Sequence, residues 1–307
     1  MPITDMLKDV RIWIVSALVF GLIIGDTGNA PIIAVITLMV LMCVSLHGLT
    51  FNRSDIIENK KIILLGIFIC YGVAGTVTLL VGSFYSHELW LGWVILAAVP
   101  CAISVITGTL ILKGNTKSAM IVVTAVYLAA LVITPLITHV FIGEAVSPLE
   151  VLKYVTLFIL VPFLISIPLR NVALNADAKA ISINIMFFIL IFVTFGANKE
   201  FILGEPGTVL WVAAGCLVRV AAIAAVMELI LKYVRMRRDS RIPMVLMSIW
   251  KNSALAMSMT MILIPTTESV MPAALSLPIE MLFFMVMMWY YSKRCAPVQE
   301  ERMSGKK

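Results

Sequence analysis

Residues 242–265 read IPMVLMSIWKNSALAMSMTMILIP. The run of Ile, Met, Leu and Ala is apolar and long enough to cross a bilayer, yet Lys251, Asn252 and Ser253 interrupt it near the middle. A charged side chain at that depth costs at least ~2.5–3.5 kcal/mol. An intramembrane ionisable residue therefore marks a site unless it is paired. A helix break is expected over Trp250–Ser253. Residues 99–109, VPCAISVITGT, have the same character. Pro100 removes a helical donor, and Ser104, Thr107 and Thr109 follow it, so a second break is expected over Pro100–Ser104.

The rest of the chain fits that reading. Of its 307 residues 61% are hydrophobic and 13% charged, about half the charged share of an ordinary soluble domain. Apolar runs lie near 12–25, 31–50, 62–82, 89–112, 118–142, 151–169, 180–198, 208–232, 242–264 and 273–292. Each suits a helix crossing about 30 Å of hydrocarbon, with tilt or flanking residues covering the difference. The fold class expected is an all-α polytopic membrane protein with ten spans. The start, MPITDMLKDV, carries acids where a signal peptide is basic, so the first span is expected to be retained. Cys43, Cys70, Cys101, Cys216 and Cys295 sit in or beside apolar runs without metal-ligand spacing and read as small hydrophobes.

Orientation follows from the basic residues. With both termini cytoplasmic, nineteen of the 23 Lys and Arg fall on the cytoplasmic side: Lys8, Arg11, Arg53, Lys60, Lys61, Lys113, Lys117, Arg170, Lys179, Lys232, Arg235, Arg237, Arg238, Arg241, Lys293, Arg294, Arg302, Lys306 and Lys307. Only Lys153 and Lys199 lie outside, and Arg219 and Lys251 lie within spans. The net charge of +6 is then explained by loops facing anionic lipid, and no nucleic-acid partner is needed. With this topology spans 1–5 (residues 1–142) and spans 6–10 (residues 150–295) run in opposite senses, ahead of a tail at 296–307. That is the inverted repeat of secondary transporters, in which interrupted segments at matching places of the two halves point to a midplane site. Spans 4 and 9 are those segments.

PCAISVITGTLILKGN at 100–115, followed by TKSAMIVVTAVYLAALVITPL at 116–136, resembles the fourth and fifth spans of the bile acid:sodium symporter family. In that family a Pro-led polar run ends in Lys-Gly-Asn, here Lys113-Gly114-Asn115, and the next span closes on Thr-Pro-Leu, here Thr134-Pro135-Leu136. KNSALAMSM at 251–259 resembles the family's Gln-Asn-Ser/Ala-Gly-Leu-Ala motif, and SLHGLTFNRSD at 45–55 its segment ending span 2. The resemblance, closest to ten-helix bacterial and archaeal members, covers most of the chain. It implies two domains: a panel of spans 1, 2, 6 and 7, and a core in which unwound spans 4 and 9 cross. It also implies transport of an organic anion with sodium.

The departures from the family fall on the sodium ligands. The span 4 Ser-Asn pair becomes Val105 and Ile106. The span 5 hydroxyls become Ala119 and Val123, the span 9 Glu becomes Met247, and the Gln of the span 9 motif becomes Lys251. Asn252 remains. A hard cation needs several oxygen ligands, and these side chains offer none, which puts sodium in doubt. Lys251 then reads as a built-in cation at the crossing. Either it stays charged and helps bind an anion, or it cycles a proton as the coupling ion.

The substrate-binding candidates are Lys251, Asn252, Ser253, Ser104, Thr107, Arg219 and Glu280. Arg219 and Glu280 lie about eleven and seven residues into spans 8 and 10, so they can meet Lys251 near the midplane. A structural Arg219–Glu280 ion pair is the competing reading. GLIIG at 21–25 has the spacing of a close helix contact, and the Asn-Arg-Ser sequence at 52–54 is discounted as cytoplasmic. The three His are scattered, so neither a metal nor a cofactor is expected. HELWL at 87–91 lacks the second His of a zinc protease, and with no Gly-x-Ser-x-Gly turn or paired intramembrane Asp an enzyme is not expected. Two functions remain: a secondary transporter of a small organic anion, or a membrane sensor that binds on the same fold without flux.

Overall fold

The computed structural model describes residues 7–47, 59–143, 146–169, 174–234, 236–264 and 266–304. Gly48–Asp55 of the span 2 motif, including Arg53 and the sequence at 52–54, and Arg170, Arg235, Lys306 and Lys307 lie outside the described residues. Among those described, regular structure is helical throughout: α1 (Val10–Ile24), α2 (Ala30–Leu46), α3 (Lys60–Gly82), α4 (His87–Ala98), α5 (Val105–Ile111), α6 (Thr116–Ile142), α7 (Pro148–Leu169), α8 (Ala176–Ala197), α9 (Lys199–Gly204), α10 (Pro206–Tyr233), α11 (Arg238–Ile249), α12 (Ser253–Leu263) and α13 (Thr267–Ser304). Six of them, α3, α6, α7, α8, α10 and α13, are long and apolar enough to cross a membrane, and α1, α2, α4 and α12 are shorter apolar helices. This is a multi-pass membrane protein.

α1 and α2 lie on α8, and α7 lies against both α2 and α6, while α3, α4, α5 and α6 pack with α10, α11, α12 and α13. Glycine permits the close contact of α1 with α8. A Cβ at Gly21 would stand 2.9 Å from the Phe192 carbonyl, and one at Gly196 would stand 2.5 Å from that of Gly25. The GLIIG sequence thus serves the α1–α8 seam by letting backbones touch, as small residues do in membranes. Asp9 starts α1 by accepting from the Arg11 N–H at 3.0 Å. The Arg11 guanidinium beside it holds its carboxyl below the usual carboxylate range.

Two helical lines are broken where the sequence predicts. α4 stops at Ala98 because Pro100 has no N–H and pushes Val99 into an extended conformation, φ −71° and ψ 154°. The Ala98 carbonyl left at this end accepts from Thr134 Oγ1 of α6 at 2.7 Å, so the Thr-Pro-Leu motif finishes the neighbouring break. α11 stops at Ile249, and α12 restarts at Ser253. Asn252 caps that restart by accepting from the Leu255 N–H at 3.0 Å. Beyond α5, Lys113 turns left-handed at φ 58°. A Cβ on Gly114 would come within 2.9 Å of Ile242 Cβ, and Asn115 caps α6 by accepting from the Ser118 N–H at 2.9 Å. Lys-Gly-Asn is therefore a turn that lets α11 approach.

Candidate functional site

The two breaks meet. Cys101 and Lys251 form an isolated antiparallel bridge: Ala102 N–H donates to the Trp250 carbonyl at 2.9 Å, and Asn252 N–H to the Pro100 carbonyl at 2.8 Å. Each unwound segment satisfies the other's backbone, which hydrocarbon requires of any non-helical stretch. Asn252 Nδ2 donates to the Tyr127 hydroxyl at 2.8 Å, fixing the crossing to α6. Trp250 Nε1 donates to the Glu280 carbonyl at 3.2 Å, fixing it to α13.

Lys251 is 1% exposed. Its ammonium passes behind the crossing and donates to the Cys70 carbonyl at 3.3 Å, with the Cys70 thiol at 3.8 Å and the Tyr71 ring centroid at 5.1 Å. Cys70 and Tyr71 lie in a π-helical turn of α3, Phe68–Val73, and such turns shift carbonyls off the α-helical ladder. A carbonyl oxygen and an aromatic face are both groups that attract a cation. Among the described residues no carboxylate pairs with this ammonium.

Arg219 (0% exposed) and Glu280 (3% exposed) do pair, through Nη2 and Oε1. The three charges gather at the crossing, but as a pair plus a separate lysine. Arg219 Nε and Nη1 have no partner among the described residues, and neither has the buried hydroxyl of Ser253. Ser104 is half-buried at the start of α5, and Thr107 is exposed on α5, outside the buried cluster. Val105, Ala119, Val123 and Met247 are buried apolar side chains, and Ile106 packs against them from a half-buried position.

Sequence reading missed the partners of the lysine. Cys70 and Tyr71 sit in an unbroken apolar run, and Tyr127 in another; no local signal singles them out. At the end of the molecule shared by Gly25, Gly196 and the starts of α4 and α13 lies a cavity of about 850 Å³, lined by Asp26, Glu88, Lys199, Glu200 and Glu268 among others. Four carboxylates against one lysine make this mouth attract cations.

Residues 32–205 match the sodium bile acid symporter family. The chain belongs to that family. The match covers more than half of the chain, and it includes the first break, the Lys-Gly-Asn turn and the Thr-Pro-Leu motif. A comparison with curated proteins gave no match. As a member of the symporter family this protein is placed among membrane transporters.

Proposed function

We propose that this protein is a secondary transporter of a small organic anion in which the Lys251 ammonium stands where coupling sodium would otherwise supply positive charge. The ten spans form two inverted repeats, residues 1–142 and 150–295, with both termini and the tail 296–307 cytoplasmic. The observation that carries the reading is the ammonium at the crossing, held by the Cys70 carbonyl and the Tyr71 ring. The apolar side chains of Val105, Ile106, Ala119, Val123 and Met247 leave no oxygen ligands for sodium, so coupling is to protons or absent.

The substrate anion sits at the amino end of α12. The helix dipole favours negative charge there, and the Ser253 hydroxyl is buried without a partner. Lys251 acts on that anion through its field, since its donors are turned to α3. Asn252 shapes the turn, Ser104 and Thr107 line the approach from α5, and the Arg219–Glu280 pair braces α10 and α13 behind it. α1, α2, α7 and α8 serve as the panel against which the remaining helices move. The acidic mouth suits release of an anion better than its capture. The opposite end of the core carries Lys113, Lys117, Arg237 and Arg241, which suits loading there.

The test is flux. A thermal-shift screen of organic anions on the purified full chain, with and without sodium, supplies the ligand. Liposomes containing the protein should then accumulate it. Binding with no flux would replace this reading by the sensor.

A further inference from the structure

Arg219, Lys251 and Glu280 are the buried charged side chains among the described residues, and all three lie at the crossing. Arg219 and Glu280 cancel within their ion pair. Lys251 meets the Cys70 carbonyl and thiol and the Tyr71 ring, and no carboxylate among the described residues. With its amine and the thiol both protonated, the buried side chains described sum to one positive charge. The unpartnered Nε and Nη1 of Arg219 do not alter that sum, because a hydrogen bond adds no charge.

A net charge in a low-dielectric interior is costly, by several kcal/mol per ion even after relaxation. A ligand of one negative charge removes the imbalance, whereas a second negative charge restores it with opposite sign. We infer that the site is built for a monovalent anion, one per molecule, so that the loaded core is neutral when it shifts across the hydrocarbon. Dianions of the same scaffold are excluded by charge rather than by size. This deepens the transporter reading above and rests on it.

The experiment is calorimetric titration of the purified full chain at neutral pH with matched probes: benzoate against terephthalate, cyclohexane carboxylate against cyclohexane dicarboxylate, and naphthalene sulfonate against naphthalene disulfonate. The monoanion of each pair should bind at a stoichiometry of one and roughly tenfold or more tighter, about 1.4 kcal/mol. Glu280→Gln leaves two buried positive charges and should close or reverse that gap. If this variant does not fold, the double variant Arg219→Gln/Glu280→Gln keeps the sum at one positive charge and should retain the monoanion preference. Dianions binding the wild type as tightly as monoanions, with Lys251→Met still weakening both, would overturn the inference alone. Affinities indifferent to Lys251→Met would overturn the role of Lys251 and this inference with it. So would the absence of binding by every monoanion at millimolar concentration.

Discussion

Lys251→Met keeps the length of the side chain and removes its charge, and two readouts together decide what the lysine does. Only Asn252 lies between Lys251 and Ser253, the first residue of α12, so an anion there is taken at two Cα–Cα steps of ~3.8 Å, on the order of 8 Å, from the ammonium. Two unit charges at about 8 Å and an effective dielectric near 20 attract by roughly 2 kcal/mol. The variant should therefore bind an anion roughly thirtyfold more weakly. Stability should respond in the opposite sense. The wild-type protein buries an ammonium with no carboxylate partner, at a penalty of ~2.5–3.5 kcal/mol or more. The hydrogen bond lost to the Cys70 carbonyl is worth about 1.5–3 kcal/mol, and a Met sulfur gains something against the Tyr71 ring. The thermal midpoint of the ligand-free variant should stay level or rise. Calorimetric titration and a thermal melt of the same detergent-solubilised sample measure both. An unchanged affinity with a lowered midpoint would mean that Lys251 is only a structural residue, and the site would have to be sought elsewhere.

Sodium should not matter: anion binding and uptake should be the same when sodium is replaced by potassium or choline at constant ionic strength and chloride. A steep rise with sodium would expose a cation site that the apolar side chains at 105, 106, 119, 123 and 247 do not reveal. Thr134→Val leaves the Ala98 carbonyl without its donor, and unfolding should become easier by about 1–3 kcal/mol. An unaffected melt would show that the break is closed by other means. Gly196→Ala places a methyl 2.5 Å from the Gly25 carbonyl, so α1 and α8 must part. A loss of about 1–3 kcal/mol is expected, and wild-type stability would argue against the close seam. For orientation, a cysteine replacing Lys113 should react with an impermeant maleimide from the cytoplasmic side, and one replacing Ser86 from the opposite side. The reverse pattern would invert the topology.

The chain itself fixed whatever depends on near neighbours. Apolar runs mark the spans because hydropathy is a property of consecutive residues. Pro100 stops α4 through its own ring, and Asn252 and Asn115 cap the helices that they precede through side chains reaching three residues on. The Pro-led and Lys-Asn-Ser interruptions were thus legible as breaks, and their matching places in the two halves suggested that they meet. Tertiary structure decided which groups meet. Arg219 finds Glu280 across 61 residues, Asn252 finds Tyr127 across 125, and the Lys251 ammonium finds the Cys70 carbonyl across 181. Nothing local in sequence separates a tyrosine that faces lipid from one that faces a buried cation. A charge inside hydrocarbon must find compensation wherever the fold brings a suitable group, so the sequence could name Lys251, and the packing of distant helices chose its partners.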